Sequence, residues 1–375
     1  MEAVFFPRKD YDVEICAHRY GKKMTYTDQS DQLKFAGNRE WSAQLEGGKS
    51  YNWITTLAKR YGVKVGFFAY YAEPTQPDFD IALSDLNAGY IWIDQYSYAP
   101  EIKDKITRHN PISPEEFRRA YYNSLLPPFY EKVGKKPVAL SYSYGEQSFS
   151  DATCPLYLAG RNSGGYTYGD TDYGKGYGSP LDVPYSMEGY KSKASSYRWF
   201  DSAKTMINGG TEEANAYQTA INNVATYIDA TKQNGGWFSN FTHFHDIMTK
   251  SELSRIYAEK YYEMLSDKNT DGDIYFAGYG EAVAYLVFRQ MVVRAVMYSP
   301  IAASQKLVIQ LETRNSMGID EELLQVPLSI KFSTQSTPLQ GKKIKSSRNL
   351  ISLGNNNYIV EIPFSRFPDA VIERA

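Results

Sequence analysis

The 375-residue chain reads as an α/β protein, a parallel sheet with helices between its strands, followed by a small antiparallel β domain. Three observations lead there. Short β-type runs alternate with helical stretches over most of the chain, and parallel strands need such crossovers. Capping chemistry marks two helix starts, at Ser113 and at Thr249–Glu252. From about Pro300 the composition turns to β runs at 306–312, 326–332 and 358–362, separated by the turn material Pro338-Leu339-Gln340-Gly341 and Asn355-Asn356-Asn357. These readings set two domains, an α/β domain over 1–297 and an antiparallel β domain over 298–375.

Taken in order, the apolar run Val13-Glu14-Ile15-Cys16-Ala17 is the first strand, with Cys16 as a small buried hydrophobe. A second strand follows at 24–27. In residues 51–68, Trp53, Ile54, Leu57 and Ala58 recur at helical spacing and Gly62 suits a left-handed residue after a helix end. Val63, Val65, Phe67 and Phe68 then form a strand over 64–69. Further strands are expected near 90–94, 138–142, 238–243 and 274–277. Ser113 caps a helix with Pro114 at its first position and Glu116 completing the capping box. Residues 212–233 make a long amphipathic helix, with Ala216, Ala220, Val224, Tyr227 and Ile228 on one side and Gly235-Gly236 at its end. Thr249 and Glu252 cap another helix that runs to Leu265.

Composition excludes some functions. The net charge of −2 gives no bias toward a polyanion, so nucleic acid is not an expected partner. No apolar run approaches the roughly 18 residues of a membrane helix. Residues 1–10 lack the basic-then-apolar order of a signal peptide. Two cysteines, Cys16 and Cys154, leave a disulfide open. His18 and His109 read as ordinary surface histidines. Residues 269–273, N-T-D-G-D, resemble part of a calcium loop but lack its final glutamate, and read as a turn before a strand. Tyrosine is abundant, 33 residues, and many alternate with glycines over 162–190. A stretch of that length and composition is expected to be a long loop, read first as a ligand or partner surface, with a packing flap and a disordered segment as the alternatives.

Residues 89–100, G-Y-I-W-I-D-Q-Y-S-Y-A-P, resemble the polysaccharide-deacetylase motif in which two histidines four apart bind a divalent metal. Residues 51–68 resemble the family's segment in which a helix delivers a strand. Residues 23–31, K-M-T-Y-T-D-Q-S-D, stand where it carries T-F-D-D-G. Residues 235–246, G-G-W-F-S-N-F-T-H-F-H-D, are similar to its late histidine motif, and 276–289 to the closing helix of larger members. The resemblance covers roughly 10–295 and implies a distorted (β/α) barrel.

The same resemblance implies a degenerate site. Gln95 and Ala99 hold the two histidine positions, Thr27 the position of the base, and Ser141 that of an arginine. Asp28 keeps the metal-binding acid in one register, with Asp31 open in a shifted one. An amide is a poor ligand for a transition metal and a methyl group is none. No metal or other cofactor is therefore expected. Asp28 and one of His243 or His245 are the surviving parts of the catalytic set. The expected function is a non-catalytic deacetylase-like module for glycan recognition or structural assembly, at a cell surface or in a virion. The glycan contacts would be Gln95, Tyr96, Tyr98, Tyr142, Tyr144 and Trp237 at strand ends, and the partners a glycan or other protein subunits. An active carbohydrate esterase with rearranged ligands and a purely architectural subunit are the alternatives.

Overall fold

The computed structural model describes residues 9–34, 49–70, 78–108, 110–142, 156–161, 197–300, 305–315, 318–365 and 368–375. The glycine–tyrosine stretch 162–190, Tyr144, His109 and Cys154 lie outside them. The chain divides into two units, Lys23–Val283 and Met1–Lys22 together with Ala284–Ala375. This division differs from the single expected boundary at 297/298. The first strand, expected in the α/β domain, goes with the β unit, and the second boundary falls within a helix rather than at 297/298.

β1 (Lys9–Tyr11) and β2 (Val13–Ile15) open the chain. The parallel sheet then begins with β3 (Met24–Lys34). α1 (Lys49–Arg60) ends before Gly62 at φ +68°, as its glycine predicts, and delivers β4 (Val65–Tyr70). α2 (Asp78–Asn87) leads to β5 (Ile91–Tyr96), and the short α3 (Lys103–Thr107) follows. At α4 (Pro114–Ala120) both bonds of the Ser113–Glu116 capping box are made, as expected. A widened π turn, Tyr121–Leu125, joins α4 to α5 (Leu126–Val133). Pro127 and Pro128 remove two N–H donors there, and the helix loosens its winding.

β6 (Ala139–Ser141) and β7 (Ala159–Arg161) extend the sheet. After α6 (Trp199–Asn208), the long α7 (Glu213–Asn234) buries Ala216, Ala220, Val224 and Ile228 and stops at Gly235, φ +66°. β8 (Trp237–Phe241), α8 (Phe244–Lys250) and α9 (Glu252–Lys268) come next. The cap of α9 is Ser251, paired with Ser254, and not Thr249. Thr249 instead donates to the His245 carbonyl, 2.8 Å, within the preceding turn. β9 (Ile274–Ala277) and α10 (Tyr279–Met291) complete the α/β run.

The strand order is β7-β6-β5-β4-β3-β8, with β9 also on β3, and every pairing in this sheet is parallel. Backbone pairing does not close a barrel among the described strands. The sheet is nevertheless curled, because the Arg161 guanidinium on β7 lies 4.0 Å from the Phe241 ring on β8, at the other end of the order. Alternation gives the sheet two faces. Met24, Tyr26, Val65, Phe67, Ile91, Ile93, Phe238 and Ile274 join the helices in one large core. Thr27, Phe68, Trp92, Asp94 and Trp237 have the opposite parity and line the inner face.

In the other unit, β10 (Val292–Ser299), β11 (Lys306–Thr313), β12 (Leu328–Ser333), β13 (Ile344–Ser346), β14 (Leu350–Gly354), β15 (Asn357–Ile362) and β16 (Asp369–Arg374) form two antiparallel sheets. Their orders are β1-β10-β11-β16-β13 and β14-β15-β12-β2. The expected β runs appear as β11, β12 and β15. β2 pairs antiparallel with β12, Ile15 opposite Ile330, which places the first strand here. A short apolar run carries no mark of which sheet will take it. Asn355 and Asn356, φ 51° and 63°, make the tight β14–β15 turn. Cys16 is free and buried, and burial pushes its thiol up to about 11. His18 is also buried in this unit, not at the surface.

Candidate functional site

Asp28 sits on the helix-facing side of β3, directly beside Asn240 of β8 in the pairing register. One carboxylate oxygen accepts from Asn240 Nδ2 at 2.7 Å and from the Tyr261 hydroxyl at 3.4 Å. The other accepts from the Tyr262 hydroxyl at 2.7 Å. Both tyrosines belong to α9, and Tyr26 and Tyr261 share a 2.5 Å hydroxyl contact. Burial pushes the Asp28 carboxyl up to about 6, against the pull of the Asn240 and tyrosine bonds.

Gln95 is turned the same way. Its Nε2 donates to the Leu125 carbonyl at 2.6 Å and its Oε1 accepts from the Tyr157 hydroxyl at 2.7 Å. The amide therefore ties β5 to the widened turn and to the segment before β7. Ala99 is fully buried in a cluster with Ile102, Ile106, Phe117 and Tyr121. Thr27 faces the interior, where its hydroxyl accepts from Trp237 Nε1 at 3.0 Å.

The arginine missing at Ser141 arrives from the next strand. Arg161 lies beside Ser141 in the β6–β7 register and donates to its hydroxyl at 2.6 Å. Its guanidinium is 4.0 Å from Phe241 and 5.1 Å from Phe68, a stacked and fully buried arrangement. Sequence reasoning looked for the cation at position 141 only. The L-A-G-R run ahead of the glycine-rich stretch was the available signal.

Sequence reasoning also missed Asp94. Its carboxylate accepts from the Gly280 N–H at 2.7 Å, at the start of α10, and from the Ala139 N–H at 3.1 Å. It thus caps a helix from a distant strand. Burial pushes it up to about 6. A Cβ on Gly280 would stand 2.3 Å from Asp94 Oδ1, and one on Gly278 2.0 Å from Trp92 Cβ, which accounts for the Gly-Tyr-Gly sequence. Lys64 pairs with Glu281 at 2.7 Å, and the Lys135 ammonium lies 4.4 Å from the Trp92 ring.

His243 and His245 follow β8, their rings 5.4 Å apart. His245 Nε2 is 2.8 Å from Asp246 Oδ1. Burial works against the Asp246 charge, yet the His245 bond, with Lys204 and His243 nearby, holds its carboxyl well below the usual range. Asp28 shows no bond to this group; its oxygens meet Asn240, Tyr261, Tyr262 and the Gln29 backbone N–H. Asp28 and the histidine expected to accompany it, His243 or His245, therefore share no bond in the structure. Asp31 has its side chain outside the described set.

The structure buries most of the described residues expected as glycan contacts. Gln95, Tyr142 and Trp237 are buried, as is Tyr96 at 8% exposure. Alternation sends Gln95 into the helix layer, Tyr142 packs in the same cluster as Ala99, and Trp237 packs on Tyr279 at 5.1 Å. Tyr98 alone of the described set is not buried, and Lys103 lies 5.6 Å from its ring. Residues 269–273 form the expected turn, with Asn269 Oδ1 accepting from the Ile274 N–H and Lys23 paired to Asp273.

The deacetylase resemblance implies a divalent metal, and the side chains at its motif positions do not fit one. They are an amide with both ends bonded, a methyl group, and a carboxylate whose two oxygens are taken in the helix layer. Among the described residues no three His, Cys, Asp or Glu side chains are grouped to hold an ion.

No family model and no curated protein matches the chain. Solved structures similar to it include a protein described as a polysaccharide deacetylase of Mycobacterium smegmatis, 11% identical over 74% of this chain and 95% of that one, TM-score 0.39. The peptidoglycan deacetylase PdaC of Bacillus subtilis is 12% identical over 69% and 89%, TM-score 0.32. The PuuE allantoinase is 10% identical over 72% and 93%, TM-score 0.40.

Proposed function

We propose that the parallel-sheet unit is a deacetylase-like module that recognises a glycan without hydrolysing it. One observation carries the reading: Asp28 and Gln95, at the motif's ligand positions, both turn to the helix-facing side of the sheet, where Asp28 bonds to Asn240, Tyr261 and Tyr262 and Gln95 to the Leu125 carbonyl and the Tyr157 hydroxyl. Deacetylation by the motif's chemistry needs a metal-activated water, an acid or base beside it and a histidine for the leaving amine. Those roles have no common location on Asp28, Gln95 and Ala99. The motif resemblance and the partly open Tyr98 at the end of β5 support a glycan as ligand. A setting at a cell surface or in a virion, alongside other protein subunits, goes with this reading.

A glycan array probed with the full chain, together with acetate release from acetylated chitooligosaccharides in added Zn²⁺ or Co²⁺, tests it. Binding without acetate release is the expected result. Acetate release abolished by His245→Ala would favour the second reading, an esterase built on the His245–Asp246 pair. Neither binding nor release would leave the architectural role.

A further inference from the structure

We infer that in this chain positions 95, 99 and 28 have been reassigned from ligand binding to fastening the helices on the sheet, so that restoring the motif histidines would not restore a metal site. The inference deepens the proposed binding role and rests on the same register.

The direction of each side chain is set by its bonds. Gln95 spans from β5 to the Leu125 carbonyl at 2.6 Å and the Tyr157 hydroxyl at 2.7 Å. Leu125 ends the π turn, where two prolines have removed N–H donors, so a side-chain donor from the sheet fastens the helix where its own ladder is weakest. Asp28 does the equivalent for α9, through Tyr261 and Tyr262, with Asn240 bracing it from β8. Ala99 lies among Ile102, Ile106 and Phe117 with no exposed surface. A histidine at 95 inherits the strand's parity and enters the same apolar cluster. A histidine at 99 overfills it. A metal ion there would be held without room for its water, in a setting that penalises its charge.

The test uses the full chain, as wild type and as the double variant Gln95→His/Ala99→His. Each is dialysed against Zn²⁺ alone and Co²⁺ alone, with metal content by elemental analysis and the cobalt visible spectrum recorded. The expected result is no stoichiometric ion in either protein and a lower melting temperature for the variant. One ion per chain in the variant but not in wild type overturns this inference and leaves the binding role standing. One ion per chain in the wild type overturns both. If the double variant does not fold, Gln95→Asn decides, because it keeps the amide but withdraws it from Leu125 and Tyr157. A lowered melting temperature for Gln95→Asn supports the fastening role, and an unchanged one overturns it.

Discussion

Two buried carboxylates on opposite faces of one sheet, Asp28 and Asp94, solve the same problem with different partners. Asp28 faces the helix layer, and its donors are side chains: an asparagine amide and two tyrosine hydroxyls. Asp94 faces inward, and its donors are the backbone N–H groups of Gly280 and Ala139. Helices offer the outer face long side chains, because their own N–H groups are used internally. The inner face has only neighbouring strands and the open end of α10, whose first N–H groups lack helical partners. Both acids are pushed up to about 6 by burial, so the donors offset desolvation without cancelling it.

The largest expected effect comes from deleting the outer carboxylate. Asp28→Leu leaves Asn240 and Tyr262 without their acceptor, and at 1–3 kcal/mol for each stranded buried donor the loss is about 4 kcal/mol. Urea denaturation measures it. A loss below about 1 kcal/mol would mean that water reaches those donors.

Next is the response to pH. Each acid is raised from 3.8 to about 6, so the folded chain holds its proton more tightly than the unfolded chain. The stability this adds is fully present below pH 3.8 and is lost as pH rises through about 6. One such acid accounts for about 3 kcal/mol. Other groups titrate in the same range, so the readout is the stability difference between wild type and Asp28→Asn at pH 4 and at pH 7. It should move by about that amount in the variant's favour, and no movement would place Asp28 in contact with water.

A smaller effect separates the two faces. In Asp28→Asn the new amide can donate to a tyrosine hydroxyl, which can turn to accept. In Asp94→Asn the amide meets a backbone N–H that cannot turn. Asp94→Asn should therefore cost about 2 kcal/mol more than Asp28→Asn at pH 7. Equal costs would erase the distinction. The smallest effect is expected at the surface, where Arg60 and Glu259 pair at 2.6 Å in the open. Arg60→Gln should change stability by less than about 0.5 kcal/mol, and a larger loss by thermal melting would show a tie the exposed geometry does not account for.

Much of the scaffold was legible in advance. Gly62 and Gly235 end their helices at positive φ, Ser113 and Glu116 make their box, and the asparagine turn joins β14 to β15. These signals are local, set by sterics and bonds within a few residues. Asp94 and Arg161 were not legible as functional parts of the interior, because their partners lie at Gly280, Phe68 and Phe241, far off in sequence. The exchange of Ser251 for Thr249 as a helix cap was a matter of two residues, where competing hydroxyls both had a carbonyl or N–H in reach.

The sequence by itself determined the helices and strands marked by local caps, turns and periods, and by its period of two which residues of a strand share a face. It could not determine which face meets the helices. That choice turns Asp28 and Gln95 outward into hydrogen bonds and leaves Thr27, Asp94 and Trp237 inside, and it also takes Val13–Ile15 out of the parallel sheet and pairs it with β12. Parity follows from the covalent geometry of a strand, whereas facing is fixed only when distant apolar surfaces and buried donors are packed together.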